Sequence, residues 1–243
     1  MLEQKSLWTR IAEAVAALAR GEGLSAVFDR TRTRASPERT VGFTIAVIAL
    51  GAKMAKADGL VTKGEVAAFR QVFSIPPGDE ANAARVFNLA RQDVAGYDAY
   101  AVKIAAMFGA GDRVLLDLME GLFHIATSDG NYHPYEDAFL RDVARIFGLS
   151  DNCFRGLLSR FVPEAPPDPY DVLEVAPDAT LDAVRAAWSR AVRESHPDRL
   201  LARGVPPEAV RLAEKRLIDV NRAWEEIRRE RGAKEGADAD RQL

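Results

Sequence analysis

The chain has 243 residues, 48% of them hydrophobic, which is enough apolar sequence for two compact domains. Its formal net charge of −3 gives no chain-wide basic field, so binding to nucleic acid is not predicted. Cys153 is the only cysteine, which excludes an intrachain disulfide and fits the reducing cytoplasm; a buried, inert thiol within a helix is its predicted role. Three histidines, His124, His133 and His196, leave little for a histidine-built metal site.

Residues 1–36 are predicted to form an amphipathic helix followed by a polar connection. Five apolar residues recur at helical spacing and form one stripe: Leu7, Trp8, Ile11, Val15 and Leu18. Charged residues interrupt the apolar run, so the segment lacks the pattern of a secretory signal. The stripe is expected to pack on the main domain. The alternative is that it lies on a membrane surface, with Arg10 and Arg20 near the lipid.

Residues 37–162 are predicted to be an all-helical domain containing an internal repeat. Two Asp-Gly pairs, which begin at Asp58 and Asp129, lie 71 residues apart, and each is followed by a glutamate seven residues after the aspartate. An apolar helical segment precedes each pair and an amphipathic helix follows it. Two related helix–turn–helix units about a pseudo-twofold axis are therefore expected. The pattern resembles the TerB-like domain of tellurite-resistance proteins, a helical bundle with acidic residues at these turns.

The longest apolar run in this domain extends from Val41 to Ala52 and is followed by Lys53. It is shorter than the roughly 18 uninterrupted apolar residues that a membrane span requires. The run is therefore predicted to be a core helix.

The glutamates of the repeat are interpreted first as structural. Thr62 and Glu65 are three residues apart, the spacing of a capping box at the start of a helix. In the second copy, His133 takes the cap position, Pro134 the first helical position and Glu136 the third. Gly59 and Gly130 supply left-handed backbone after the preceding helices.

A metal site is the alternative interpretation of the acidic turns. The TerB-like resemblance implies a divalent cation, because such domains are suspected of binding one, and the shared ligands would be Asp58, Glu65, Asp129 and Glu136. An EF-hand loop is rejected, because the positions that need oxygen ligands before each aspartate hold Met54, Lys56, Ile125 and Thr127. Apart from this cation, no cofactor is predicted.

Residues 163–168 are rich in proline and are predicted to be a semi-rigid linker. Beyond it, residues 169–232 read as a helical domain, and residues 233–243 as a polar tail. Asp168 is expected to cap a short first helix that begins at Pro169. Thr180 is expected to cap a second helix with one apolar stripe, consisting of Leu181, Val184, Trp188 and Ala191. A third helix opens at Pro206 and Pro207 and carries Leu217, Val220, Trp224 and Ile227. The second and third helices are predicted to pack as an antiparallel hairpin.

The tripeptide His196-Pro197-Asp198 lies between the two helices of this hairpin. Pro197 disfavours helical backbone at His196 and fixes its own φ, so the chain must leave the second helix there. A match to three residues is weak alone and is judged by its context. The order of the flanking elements resembles the J domain of DnaJ-type co-chaperones.

The J-domain resemblance implies a partner. In J domains the tripeptide docks on the ATPase domain of an ATP-bound DnaK-type chaperone, and the aspartate is central to stimulating ATP hydrolysis. The matching basic positions, which would assist docking through the association rate, are Arg185, Arg190, Arg193 and Arg199. Three residues depart mildly from the family pattern: Glu174 stands where glycine is usual, and Trp188 and Trp224 replace common tyrosines.

A TerB-like domain followed by a terminal J domain resembles the DjlA/DjiA group of bacterial DnaJ-like co-chaperones. The implied function is activation of a partner ATPase, with the helical domain as the module that selects an unidentified client. This chain shows no N-terminal membrane segment like that of some members, so a cytoplasmic location is expected, with peripheral contact at the inner membrane as the alternative.

Two other functions were weighed against this one. The chain could be a metal-responsive or envelope-stress scaffold in which the TerB-like domain is primary. An enzyme with His196 as general base is disfavoured, because no nucleophile or paired carboxylate accompanies this histidine in a recognisable arrangement.

Overall fold

The computed structural model describes residues 36–58, 96–165, 167–206 and 209–240. Within these ranges every regular element is an α-helix, which confirms the predicted all-α class there. The helices in chain order are α1 Ser36–Asp58, α2 Tyr97–Phe108, α3 Arg113–Ala126, α4 Pro134–Ile146, α5 Asp151–Phe161, α6 Pro169–Val172, α7 Leu181–Glu194, α8 Pro197–Ala202 and α9 Val210–Asp240. The predicted N-terminal helix and the capping pair Thr62/Glu65, with Gly59, lie outside the described residues.

Helix α1 lies at the centre of the helical domain, the name used here for residues 37–162. Its side chains from Phe43 to Met54 are buried on every face, which is the pattern of a core helix. This confirms the prediction for the apolar run that ends before Lys53. Helices α2, α3 and α4 pack against α1, and α5 packs against α3. Among the described helices, none combines the length and the apolar character that crossing a membrane requires.

The C-terminal hairpin forms as predicted within the J-like segment, the name used here for residues 168–232. Asp168 caps α6 by accepting from the Tyr170 N–H at 2.8 Å, and Thr180 caps α7 by accepting from the Ala183 N–H at 3.2 Å. Helices α6 and α7 both pack against α9. The small core between them consists of Leu173, Val184, Val220, Ala223 and Ile227.

The two tryptophans of the hairpin contact each other directly. The rings of Trp188 on α7 and Trp224 on α9 stack with centroids 5.5 Å apart, and Trp188 Nε1 donates to Asn221 Oδ1 at 2.9 Å. Helix α9 begins at Val210, later than the predicted start, and continues to Asp240 through most of the predicted tail. The substitutions of tyrosine by tryptophan are thus accommodated by a stacked pair.

The helical domain and the J-like segment share one apolar core. Six residues around α8 and the start of α9 belong to the cluster built on α1 and α3: Leu200, Val205, Ala209, Val210, Leu212 and Ala213. Helix α6 packs so closely on α5 that a Cβ added at Gly156 would lie 3.0 Å from the carbonyl oxygen of Asp171. The proline-rich segment therefore joins two parts that contact each other extensively.

Glu174, at the end of α6, is the one non-glycine residue with a positive φ in the described part of the chain, at 55°. Left-handed backbone costs an L-residue roughly 1–2 kcal/mol, which explains why glycine is usual here in J domains. The glutamate carboxylate accepts from Arg113 Nη1 at 2.8 Å, across the contact with the helical domain. The ion pair offsets part of the cost of the backbone conformation.

Substitution of Glu174 separates these two effects. Glu174→Ala removes the ion pair and keeps the strained backbone, whereas Glu174→Gly removes both. We expect Glu174→Gly to be more stable than Glu174→Ala by about 1 kcal/mol. Urea unfolding of the two variants, compared by midpoint at equal m-value, measures the difference. Equal midpoints would show that the positive φ carries no strain.

Candidate partner-binding site

The tripeptide lies on the surface where α7 gives way to α8. Helix α7 ends at Glu194, His196 takes the N-cap position of α8, and Pro197 is the first residue of that helix. The His196 Nδ1 accepts from the Asp198 N–H at 3.2 Å. The side chains of His196 and Asp198 are 61% and 88% exposed. Pro197 thus ends the second helix, as predicted, and both polar side chains are accessible to a partner.

The residues on either side of the tripeptide are buried. Ser195 is 3% exposed, and its hydroxyl donates to the Ala191 carbonyl at 2.8 Å. Leu200, on the other side, is fully buried in the shared core. The exposed tripeptide therefore lies between two flanking segments that contain buried residues, 194–195 and 200–203, which together are called the stem.

Three of the four predicted basic residues lie on α7, before the tripeptide, and the fourth lies on α8, directly after it. Arg185, Arg190 and Arg193 are exposed on α7, and Arg199 is exposed on α8. Arg193 donates to Ser189 Oγ at 3.2 Å, and none of the four makes an ion pair with another described residue. Arg193 and Arg199 lie within three residues of the tripeptide along the chain, whereas Arg185 lies about two turns before Arg193 on α7. Their charges are available to an acidic partner.

A network of ion pairs connects the stem to the helical domain, and sequence reasoning missed it. The side chain of Asp117 of α3 is 3% exposed; its Oδ2 accepts from Arg203 Nη2 at 2.9 Å and its Oδ1 from Arg216 Nη2 at 2.8 Å. Both arginines belong to the J-like segment. The sequence signal was present, because Asp117 and Glu120 interrupt the apolar run from Val114 to Phe123 in helix α3.

The same interface holds a second group of charges around Arg160 of α5. Its guanidinium pairs with the buried Glu120 and donates through Nε to Asp219 Oδ2 of α9 at 2.8 Å. Arg216 Nε lies 3.5 Å from Glu120 Oε1. Buried charges are tolerated when each is matched by the opposite sign, as here.

Arg113, the first residue of α3, completes the network at the end of α7. It pairs with Glu174 and with Glu194. Burial alone would lower the pKa of the Arg113 guanidinium, but the two carboxylates outweigh burial and raise it. The pKa of Arg216 is raised in the same way, against its burial, by Glu120 and Asp117. Both arginines therefore remain charged.

A cavity of about 20 Å³ lies within this interface, large enough for one water molecule. Cys153 lines it from α5 and is 5% exposed. Burial, with the nearby Glu174 carboxylate, raises the pKa of the Cys153 thiol to about 12. The thiol is thus buried in a helix and uncharged near neutral pH, as predicted.

The acidic turn before α4 shows structural roles for both of its acids. The Asp129 carboxylate accepts from the Asn131 N–H at 2.9 Å. Glu136 is 3% exposed, and its carboxylate accepts from the His133 N–H at 2.8 Å, the capping-box bond predicted for it. Gly130 has a φ of 86°, the left-handed backbone predicted for it.

The cation site itself stays a prediction. Of the four proposed ligands, Glu65 and the side chain of Asp58 lie outside the described residues. Among the residues that are described, no three His, Cys, Asp or Glu side chains are grouped to hold a metal ion.

Comparisons with known proteins add to this geometry. Residues 44–158 match the family described as "Tellurite resistance protein TerB". The chain is 28% identical over 225 residues to "Co-chaperone protein DjlA" of Photobacterium profundum, covering 82% of this chain and 81% of that protein. The protein of the same name from Coxiella burnetii is 26% identical over 198 residues, with 73% of each chain covered. Over most of its length the chain is therefore similar to DjlA-type co-chaperones.

This similarity confirms the predicted resemblance to the DjlA/DjiA group. The DjlA of Vibrio parahaemolyticus is 25% identical over 230 residues, with 81% of each chain covered, so the similarity extends through both parts of the chain. The TerB match lies within the predicted helical domain. No solved structure matches the chain.

The capping role of Glu136 can be separated from a metal role. Glu136→Gln retains an oxygen that accepts the capping bond, so its melting temperature should stay close to wild type. A metal site would instead give a cation-dependent rise in melting temperature that the substitution abolishes. Thermal melting with a chelator, and with millimolar calcium or magnesium, distinguishes the two. A large rise in wild type that is lost in Glu136→Gln would overturn the structural interpretation.

Proposed function

We propose that the protein docks through His196-Pro197-Asp198 on an ATP-bound DnaK-type chaperone and stimulates that chaperone's ATP hydrolysis. The observation that carries the proposal is the exposed tripeptide on a buried stem, in a chain similar to co-chaperones. Under this proposal the protein regulates the ATP hydrolysis of its partner and is not itself the catalyst, which its similarity to co-chaperones supports. The exposed position of His196 supports this, because a general base normally works in a pocket that excludes water.

The arginine face supports docking on an acidic surface. Three exposed arginines along α7 and Arg199 on α8 carry positive charge without an ion-pair partner among the described residues. Such charge accelerates diffusional encounter with an oppositely charged surface more than it adds to final affinity. The proposed order of events is electrostatic encounter on α7, followed by close docking at the tripeptide.

The helical domain is proposed to select the target that the DnaK-type chaperone then acts on. It is about half of the chain, and its helices α2 and α4 pack on α1 and on each other. The proposed partner consumes ATP, which is supplied in the cytoplasm. The proposal therefore also includes a cytoplasmic location.

The tripeptide is tested by two isosteric substitutions. His196→Gln and Asp198→Asn should abolish stimulation of a DnaK-type ATPase while leaving the melting temperature nearly unchanged, because exposed positions contribute little to stability. The measurement is steady-state ATP turnover by the partner with each full-length variant.

Asp178→Asn is the matched control, since it makes the same chemical change at an exposed residue at the far end of α7, roughly 20 Å away. Asp178→Asn should stimulate like wild type. Normal stimulation by both tripeptide variants would contradict the proposed mechanism.

The arginine face is tested by charge reversal. Arg185→Glu combined with Arg190→Glu should lower the association rate for the partner severalfold, and higher salt should shrink the difference, because screening weakens long-range attraction. Stopped-flow binding at two ionic strengths measures the effect. The control, Arg228→Glu combined with Arg229→Glu, changes net charge equally on an exposed part of α9. A defect that is independent of salt would argue against steering.

A further inference from the structure

The stem of the tripeptide is bonded to the helical domain on both of its sides. Before the tripeptide, the side chain of Glu194 pairs with Arg113 of α3. After it, Arg203 donates to Asp117 Oδ2 of the same helix through Nε at 3.1 Å and Nη2 at 2.9 Å. Helix α3 of the helical domain thus forms ion pairs with both ends of the segment that contains the tripeptide.

Arg203 also closes the stem upon itself. Its Nη2 donates to the backbone carbonyl of Glu194 at 3.1 Å, so a single guanidinium joins the end of α7, the end of α8 and α3. The Arg203 side chain is 15% exposed and that of Asp117 only 3%. Hydrogen bonds between charged groups are strong, and low exposure protects them from competing water.

The segment depends on these contacts for its conformation. Helix α8 has six residues, far fewer than an isolated helix needs to be stable in water. Its buried residue Leu200, and Val205 after it, pack into the core of the helical domain. Helix α8 also contacts α7 and α9 within the J-like segment, and the helical domain adds the burial of Leu200 and Val205 and the ion pair at Arg203.

The contact does not cover the tripeptide. His196 and Asp198 remain exposed, and the arginines of α7 face solvent. The helical domain touches the stem and leaves the docking surface free, so the geometry is that of a support rather than of an inhibitor.

We infer that Arg203 and Asp117 are positioning residues through which the helical domain holds the tripeptide ready to dock. A segment that is already ordered loses less conformational freedom on binding, so its affinity for the partner is higher. The inference rests on the proposed function and extends it: the helical domain is part of the docking apparatus as well as a target selector.

The test uses full-length variants at Arg203. Arg203→Met removes the guanidinium and keeps an apolar side chain, whereas Arg203→Lys keeps the charge but lacks the fork that reaches two acceptors at once. Arg228→Met, at an exposed residue whose side chain is 61% accessible, is the matched control. Stimulation of the partner's ATP hydrolysis is measured over a range of concentrations of each variant.

The expected result is a change in half-saturation. For Arg203→Met the half-saturating concentration should rise about tenfold, equivalent to about 1.4 kcal/mol, while maximal stimulation at saturation stays near wild type. The half-saturating concentration of Arg203→Lys should lie between those of wild type and Arg203→Met, and that of Arg228→Met should match wild type. Hydrogen exchange at the amides of Arg199 and Val205, without partner, should be faster in Arg203→Met than in Arg228→Met.

Other outcomes assign failure to different parts of the argument. If wild type gives no stimulation at any concentration, the proposed function is wrong and the positioning role falls with it. If wild type stimulates and Arg203→Met has the same half-saturation, the positioning role alone is wrong. Stronger stimulation by Arg203→Met would also overturn it, because the contact would then restrain the tripeptide.

A second variant covers the case in which Arg203→Met fails to fold. Arg113→Gln weakens the grip at the Glu194 side of the stem and should raise half-saturation in the same direction. An Arg113→Gln protein that folds and has wild-type half-saturation would overturn the inference.

Discussion

The burial of Asp117 is the constraint on which the rest of the structure depends. This carboxylate lies within an apolar helix and is 3% exposed, and both arginines that neutralise it come from the J-like segment. Breaking one side of a buried pair typically costs about 3–5 kcal/mol, because a charge is left without water or a partner. In the observed structure, the J-like segment therefore supplies the positive charges that compensate Asp117 of the helical domain.

Apolar packing and charge act together at this contact. Apolar surface alone is tolerant of small shifts, whereas the ion pairs of Asp117, Glu120 and Arg160 require particular partners at particular positions. Gly156 allows α6 to approach α5 closely, and Glu174 accepts left-handed backbone while it reaches Arg113. Apolar burial supplies most of the driving force, and the charges set the register in which α3, α8 and α9 meet.

This arrangement gives the exposed tripeptide its context. A docking motif must be accessible, and accessibility removes the packing that would otherwise order it. Here the residues that flank the tripeptide hold it in place, since Ser195 and Leu200 are buried and Arg203 joins three helices. The TerB-like domain therefore contacts the J-like segment directly, at the residues on either side of the tripeptide.

The sequence by itself determined the features that depend on neighbours along the chain. The caps at Asp168 and Thr180, the end of α7 before Pro197 and most of the hairpin stripe follow from local propensity and helical spacing, although Leu181 of that stripe is exposed. The tripeptide and its exposure were predictable for the same reason. Only the tertiary structure decided that Asp117 would meet Arg203 and Arg216, residues 86 and 99 positions away. Helical periodicity shows which face of a helix is apolar, but it carries no information on which distant charge will neutralise a carboxylate on that face. That pairing is chosen when the helices pack, because a buried charge is stable only beside its opposite.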